Sequence, residues 1–182
     1  MPAAAAVLTS RPAEGEFNPY YGTYIAKVPD GDLLATLESQ LEDTVALLDE
    51  FGESGAGTRY APGKWSVKSV VGHLTDAERI FTYRALCAAR GEAAELPGFD
   101  ENAYVDVAAF DGRTLNSLMG ELTAVRRATL SLFRNLGDDE LTRRVSANRS
   151  PISARALAWI IAGHERHHAG LLRERYLPAL RG

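Results

Sequence analysis

Apolar residues return at three- and four-residue intervals in four stretches of this chain, the spacing of a helix with one buried face. The first stretch follows "VPDGD" and carries Leu33, Leu37, Leu41, Val45 and Leu48, which predicts a helix over about 33–51 that stops at Gly52. The second starts behind Ser66, a residue suited to accept from the first free amides of a helix. It runs through Val67, Val70, Val71, Leu74, Ala77 and Phe81 to about Arg90, ahead of Gly91. The third opens near Thr114 and holds Leu115, Leu118, Leu122, Val125, Leu132 and Leu136 before Gly137. The fourth opens near Ser153 and continues to about Tyr176, with Pro178 beyond it. Period-two alternation is scarce and no clear hairpin turn pair stands out, so strands are not expected. Four amphipathic helices of about 20 residues predict an all-α four-helix bundle.

The connections add detail. "ESGAGTRYAPGKW" is turn-rich, whereas "ELPGFDENAYVDVAAFDG", between the second and third helices, is long enough for a crossover or a loop that lines a site. "NPYYGTYIAKVP" carries three tyrosines and reads as a segment anchored across the bundle. Residues 1–17 hold alanines but no basic leader, and are expected to form a disordered tail in front of a single domain, 18–182.

Composition narrows the function. The 182 residues are 46% hydrophobic and 24% charged, with a net charge of −4, as in an ordinary globular protein. A mildly acidic chain without a basic cluster lacks the positive footprint that nucleic acid requires. No apolar run is long enough to span a membrane. The lone cysteine, Cys87, excludes an internal disulfide framework and fits a reducing cytoplasm. The expected partner is a small molecule, and a homodimer is left open.

Chemistry concentrates in "GHERHHAG", residues 163–170, which holds three of the four histidines. His164, Glu165 and His168 spell the H-E-x-x-H of zinc proteases. The protease reading fails. Its longer form would need Gly at 171 and His at 174, where Leu171 and Glu174 stand, and no sheet is expected beside the helix. What remains is geometric. Leu157, Ile161, His164, His168 and Leu171 share one helical face, and residues four apart lie about 6 Å apart along the axis, so both imidazoles reach one ion. The fourth histidine, His73, lies near the edge of the second helix's stripe, where a bundle can bring it against that pair. Three nitrogens leave positions open on an ion, as in catalytic sites. Two uncompensated rings in a core would be costly, which favours an ion over simple packing.

"APGKWSVKSVVGHLTDAERIF" together with "IIAGHERHHAGLLRERYL" resembles the DinB/YfiT-like superfamily, over roughly residues 18–178 and including the "LPGFDENAYV" connection. The resemblance implies a four-helix bundle holding one divalent ion, zinc or nickel foremost, on His73, His164 and His168. It also implies a thiol S-transferase that uses a low-molecular-weight thiol of the bacillithiol kind. A metal-dependent hydrolase and a non-catalytic, stress-related metal-binding module are the alternatives. His167, about 100° around the helix from His168, matches the first histidine of the family's frequent "HH" and is not carried over as a ligand. Glu165 and His167 are the candidates for acid–base work, although Glu165, next to His164, should face solvent or a partner helix. Trp65, Asp76, Arg79, Arg84 and Tyr104 are the candidates for substrate contact. Trp65 equally suits a core anchor, and Asp76 with Arg79 an i, i+3 surface pair.

Overall fold

Four polar side chains open four long helices. In the computed structural model, which describes residues 6–181, Asp32 accepts from the amides of Leu34 and Ala35. Ser66 accepts from Ser69, Thr114 from Ser117 and Ser153 from Ala156. Each satisfies a first-turn N–H that has no partner within its helix. In chain order the helices are α1 (Gly22–Ile25), α2 (Leu33–Asp49), α3 (Gly52–Gly55), α4 (Val67–Ala89), α5 (Glu101–Ala108), α6 (Leu115–Arg134), α7 (Asp138–Thr142), α8 (Ala154–Leu171) and α9 (Leu177–Arg181). The long ones, α2, α4, α6 and α8, form the bundle. α4 packs on α6 and α8, and α2 closes the square against the same two, so α2 and α4 face each other across the diagonal.

The interior is not uniformly apolar. One hydrophobic cluster joins Leu33, Leu37, Phe81, Phe133, Leu157 and Ile160; a second joins Leu48, Val70, Val71, Leu118, Leu122 and Leu172. Along every long helix the two halves are separated by buried polar residues: Gln40 and Thr44 on α2, His73 and Glu78 on α4, Arg126 and Thr129 on α6, and His164, Glu165 and His168 on α8. A polar belt therefore crosses the middle of the bundle. Everything with chemical potential described below lies on it or opens from it.

Three expectations need correcting. Residues 144–153 form an antiparallel hairpin, β1 (Arg144–Ala147) with β2 (Ser150–Ser153), pairing Val145 with Ile152. Its turn residues Asn148 and Arg149 have φ of 50° and 62°, the two left-handed positions that match a hairpin's twist. Asn-Arg supplies that turn without the glycine that usually marks it. Leu96 bridges to the hairpin edge, with its amide donating to the Ser146 carbonyl, and this draws the long α4–α5 connection over the bundle. Second, part of the 1–17 segment is anchored on the bundle: Leu8 is buried, and Glu16 accepts from Ser153 and pairs with Arg155. Residues 1–5 lie outside the described residues. Third, α8 does not end cleanly before Pro178. A π-turn, Leu172–Tyr176, follows it, with the Leu177 amide reaching back five residues to Leu172, and Pro178 sits inside α9. The wider turn accommodates a residue that has no N–H to donate.

Among the described residues no helix is long and apolar enough to cross a membrane.

Candidate metal centre

The α4–α8 contact brings together histidines from distant parts of the sequence. His73, on the second turn of α4, places Nε2 3.0 Å from Nε2 of His164, and His168 Nε2 lies 3.2 Å from the same atom. The ligand atoms of all three fall within 4.8 Å of one another, and all three residues are buried. Nitrogens held tetrahedrally by one ion at about 2.0–2.1 Å would sit about 3.3 Å apart, so the set fits a single small divalent ion. Its protonation state also fits. Burial lowers His73 to about 4, with His167 adding to the effect. Burial, followed by the neighbouring histidines, holds His164 and His168 well below the usual imidazole range. Near neutral pH the three rings are uncharged and present lone pairs, as metal ligation requires.

Aromatic rings wall the triad. Trp65 lies 4.8 Å from the His73 ring and stacks at 6.4 Å on His168. Tyr24 meets His164 edge-on at 5.4 Å, and Phe81 does so at 5.9 Å. The Tyr24 contact depends on Gly163: a Cβ there would lie 2.1 Å from the Tyr24 carbonyl oxygen, so only glycine lets α1 settle on α8 at this point. The tyrosine segment is thus more than a core anchor. Tyr21 and Tyr24 line a cavity of about 420 Å³ into which His73, His164 and His168 also face. No signal in the sequence separated those tyrosines from ordinary packing residues.

The remaining candidates divide. Arg84 is buried and lines the cavity, with Nη2 donating to the Pro97 carbonyl at 2.7 Å. His167 is half-buried, packs against Tyr24 and His168, and reaches the same cavity. Its other side meets a cavity of about 400 Å³ lined by Lys27, Asp43, Arg166 and Glu174, whose charges are mixed and do not converge. Asp76 and Arg79 form the expected i, i+3 pair at 3.4 Å, extended by Arg79 to Glu121, and neither lines the histidine cavity. Tyr104 is exposed and packs on Phe99.

Glu165 does not face solvent. It is buried, accepting from Gln40 at 2.8 Å and Thr44 at 2.7 Å and pairing with Arg126 at 2.9 Å. Arg126 also clasps Glu78 through Nε and Nη2 and donates Nη1 to the Leu37 carbonyl. Burial works against the charged guanidinium, but Glu165 and Glu78 outweigh it and push its pKa up. The knot begins at the residue next to His164, so the triad and this buried cluster share one turn of α8. Three donors engage the two oxygens of Glu165, and it does not line the histidine cavity, which leaves it poorly placed for base work there.

A helical bundle with a buried three-imidazole cluster, able to hold a metal ion beside a cavity, is the class that this fold and site define. More specifically, the chain belongs to the DinB superfamily, whose family model matches residues 36–172. Among solved structures it is similar to YfiT from Bacillus subtilis, at 19% identity and a TM-score of 0.67, over 94% of this chain and 97% of that one. YfiT is described as a probable metal-dependent hydrolase with an unusual four-helix bundle topology. No curated protein sequence matches this chain.

Proposed function

We propose that the protein is a divalent-metal-dependent enzyme that transfers a low-molecular-weight thiol to an electrophilic small molecule in the aromatic cavity. The observation that carries this reading is three neutral imidazoles converging at the wall of a cavity of about 420 Å³. Three protein ligands leave room for a fourth group from solution. A divalent ion there supplies Lewis acidity, lowering the pKa of a thiol or water that reaches it so that a nucleophile exists at neutral pH. The protein's residues do the rest. Trp65 and Tyr24 fix the imidazole planes, while Phe81 and Tyr21 exclude water and hold an apolar electrophile. The sulfur forms the new bond to carbon, the leaving group departs with its electron pair, and the thiol proton passes to solvent at the cavity mouth.

Thiol is preferred to water because Glu165, the carboxylate beside the triad, is committed to Arg126, Gln40 and Thr44. A water nucleophile, with a far higher pKa, has more need of such a base. Hydrolysis is the second reading, favoured by the description of YfiT. Cobalt-loaded protein separates the two. Transfer predicts a sulfur-to-metal charge-transfer band on adding bacillithiol or glutathione, and conjugation of that thiol to monochlorobimane that His73→Ala abolishes. If no thiol perturbs the spectrum but water-competing anions do, transfer is wrong and hydrolysis stands. If neither does, the site is a closed metal-binding module.

A further inference from the structure

α4 contributes His73, Ala77, Phe81 and Arg84 to the cavity wall. Arg84 follows His73 by eleven residues, three turns plus about 20°, so the two lie on one face about 16 Å apart along the axis. Ala77 between them keeps the floor of this trough low.

Arg84 is 3% exposed, yet among the described residues it forms no ion pair with a carboxylate. Pro97 takes one of its five N–H donors, the Tyr21 hydroxyl accepts from another, and the Phe99 ring covers it at 5.9 Å, so no anion is among its partners. Glu101 lines the same cavity, but it is exposed and beyond ion-pair range. A guanidinium does not shed its proton to escape burial, so an unpaired one is an unfavourable arrangement unless an anion joins it. The other deeply buried arginine, Arg126, has two carboxylates. The open space beside Arg84 is the cavity, and its planar fork suits a carboxylate bound through both oxygens.

We propose that Arg84 anchors the carboxylate of a small-molecule ligand. The reactive end of that ligand lies three helical turns away at the triad, and its apolar middle crosses Phe81 and Tyr24. The identity of the reactive end rests on the transfer reading above; the anion subsite does not. The carboxylate belongs either to the thiol or to the electrophile, and two acid–neutral pairs tell which. The first is glutathione and its diethyl ester; the second is 5-phenylvalerate and its amide. Each is titrated calorimetrically into zinc-loaded wild type, Arg84→Met and Arg84→Lys.

In at least one pair the acid should bind about tenfold or more tightly than its neutral partner. Arg84→Met should erase that preference and Arg84→Lys should retain part of it. A preference confined to the glutathione pair assigns the carboxylate to the thiol, and one in the phenylvalerate pair to the electrophile. Ligand-free Arg84→Met should melt at or above the wild-type temperature, since an apolar chain replaces an unpaired charge. No acid preference in either pair overturns the proposal, as does a preference that survives in Arg84→Met. Acid preference without any thiol band on cobalt protein sinks the transfer reading alone; a thiol band without acid preference sinks the anchor alone.

Discussion

Arg126 and Arg84 are both buried cations, and the protein treats them in opposite ways. Arg126 sits in the belt between α2, α4 and α8 with Glu78, Glu165 and the Leu37 carbonyl around it, and its donors are consumed by protein. Arg84 lies beside a cavity with the Pro97 carbonyl and the Tyr21 hydroxyl as acceptors and no carboxylate pair. A closed polar knot gives the core a fixed register, because its members are held by partners on other helices. A cation left short of partners stores free energy that a ligand can release. The same lesson applies to histidine. The three triad rings are buried and uncharged with their Nε2 atoms converging, an arrangement that an ion completes.

The largest effect should come from breaking the closed side. Arg126→Met leaves Glu78 and Glu165 without their cation, and such half-removed buried pairs cost about 3–5 kcal/mol. Urea unfolding should show that loss, whereas Arg84→Met should lose nothing. Equal losses in the two variants would erase the distinction.

The triad supplies the next effect, through pH. Burial takes His73 from an ordinary 6.5 to about 4, so the folded form binds fewer protons than the unfolded chain. Stability is then complete above about pH 6.5 and declines as pH falls through 6.5 towards 4, with His73 alone accounting for on the order of 3 kcal/mol. His164 and His168 act in the same direction. Urea midpoints of metal-free protein between pH 7.5 and 4.5 should trace the decline, and it should be shallower in His73→Ala. A flat wild-type profile would mean that the rings are solvated.

Gly163→Ala is a smaller test, aimed at the cavity side alone. Its Cβ overlaps the Tyr24 carbonyl, and overpacking of this kind costs about 1–3 kcal/mol. The melting temperature should fall, and metal-loaded protein should lose the ring-current shift that Tyr24 imposes on His164, while Arg126 and its partners keep their spectra. Least affected should be His167→Ala, which removes a half-buried ring at the cavity edge. A change within about 0.5 kcal/mol is expected, with unchanged zinc stoichiometry by elemental analysis.

The long helices, their caps at Ser66, Thr114 and Ser153, and the three histidines were all legible in the sequence, because each rests on local spacing. The belt was not. Gln40 and Thr44 read as polar interruptions of an apolar face, and their partners Ala162, Glu165 and Arg166 are more than 120 residues away. Glu165 beside His164 was expected on an exposed or interhelical surface; only the neighbouring helices supply Gln40, Thr44 and Arg126, the three groups that hold it there. The hairpin escaped because Asn148 and Arg149 adopt left-handed conformations without glycine. Tyr21 and Tyr24 looked like any aromatic anchors, since nothing local says which wall of a bundle a docked segment will cover.

The histidines also differ in when they can meet. His164 and His168 are one helical turn apart in the chain, while His73 lies 91 residues before His164. An ion offered to the unfolded polypeptide therefore encounters two ligands at once, and clamping them fixes a turn of α8 before that helix has anything to pack against. Refolding with zinc present should be faster than with chelator in the wild type but not in His164→Ala, as stopped-flow tryptophan fluorescence would record. Because the unfolded chain then keeps some grip on the ion, saturating zinc will stabilise the fold by less than its affinity for the native site implies. The ion that completes the site also belongs to the order in which the bundle is assembled.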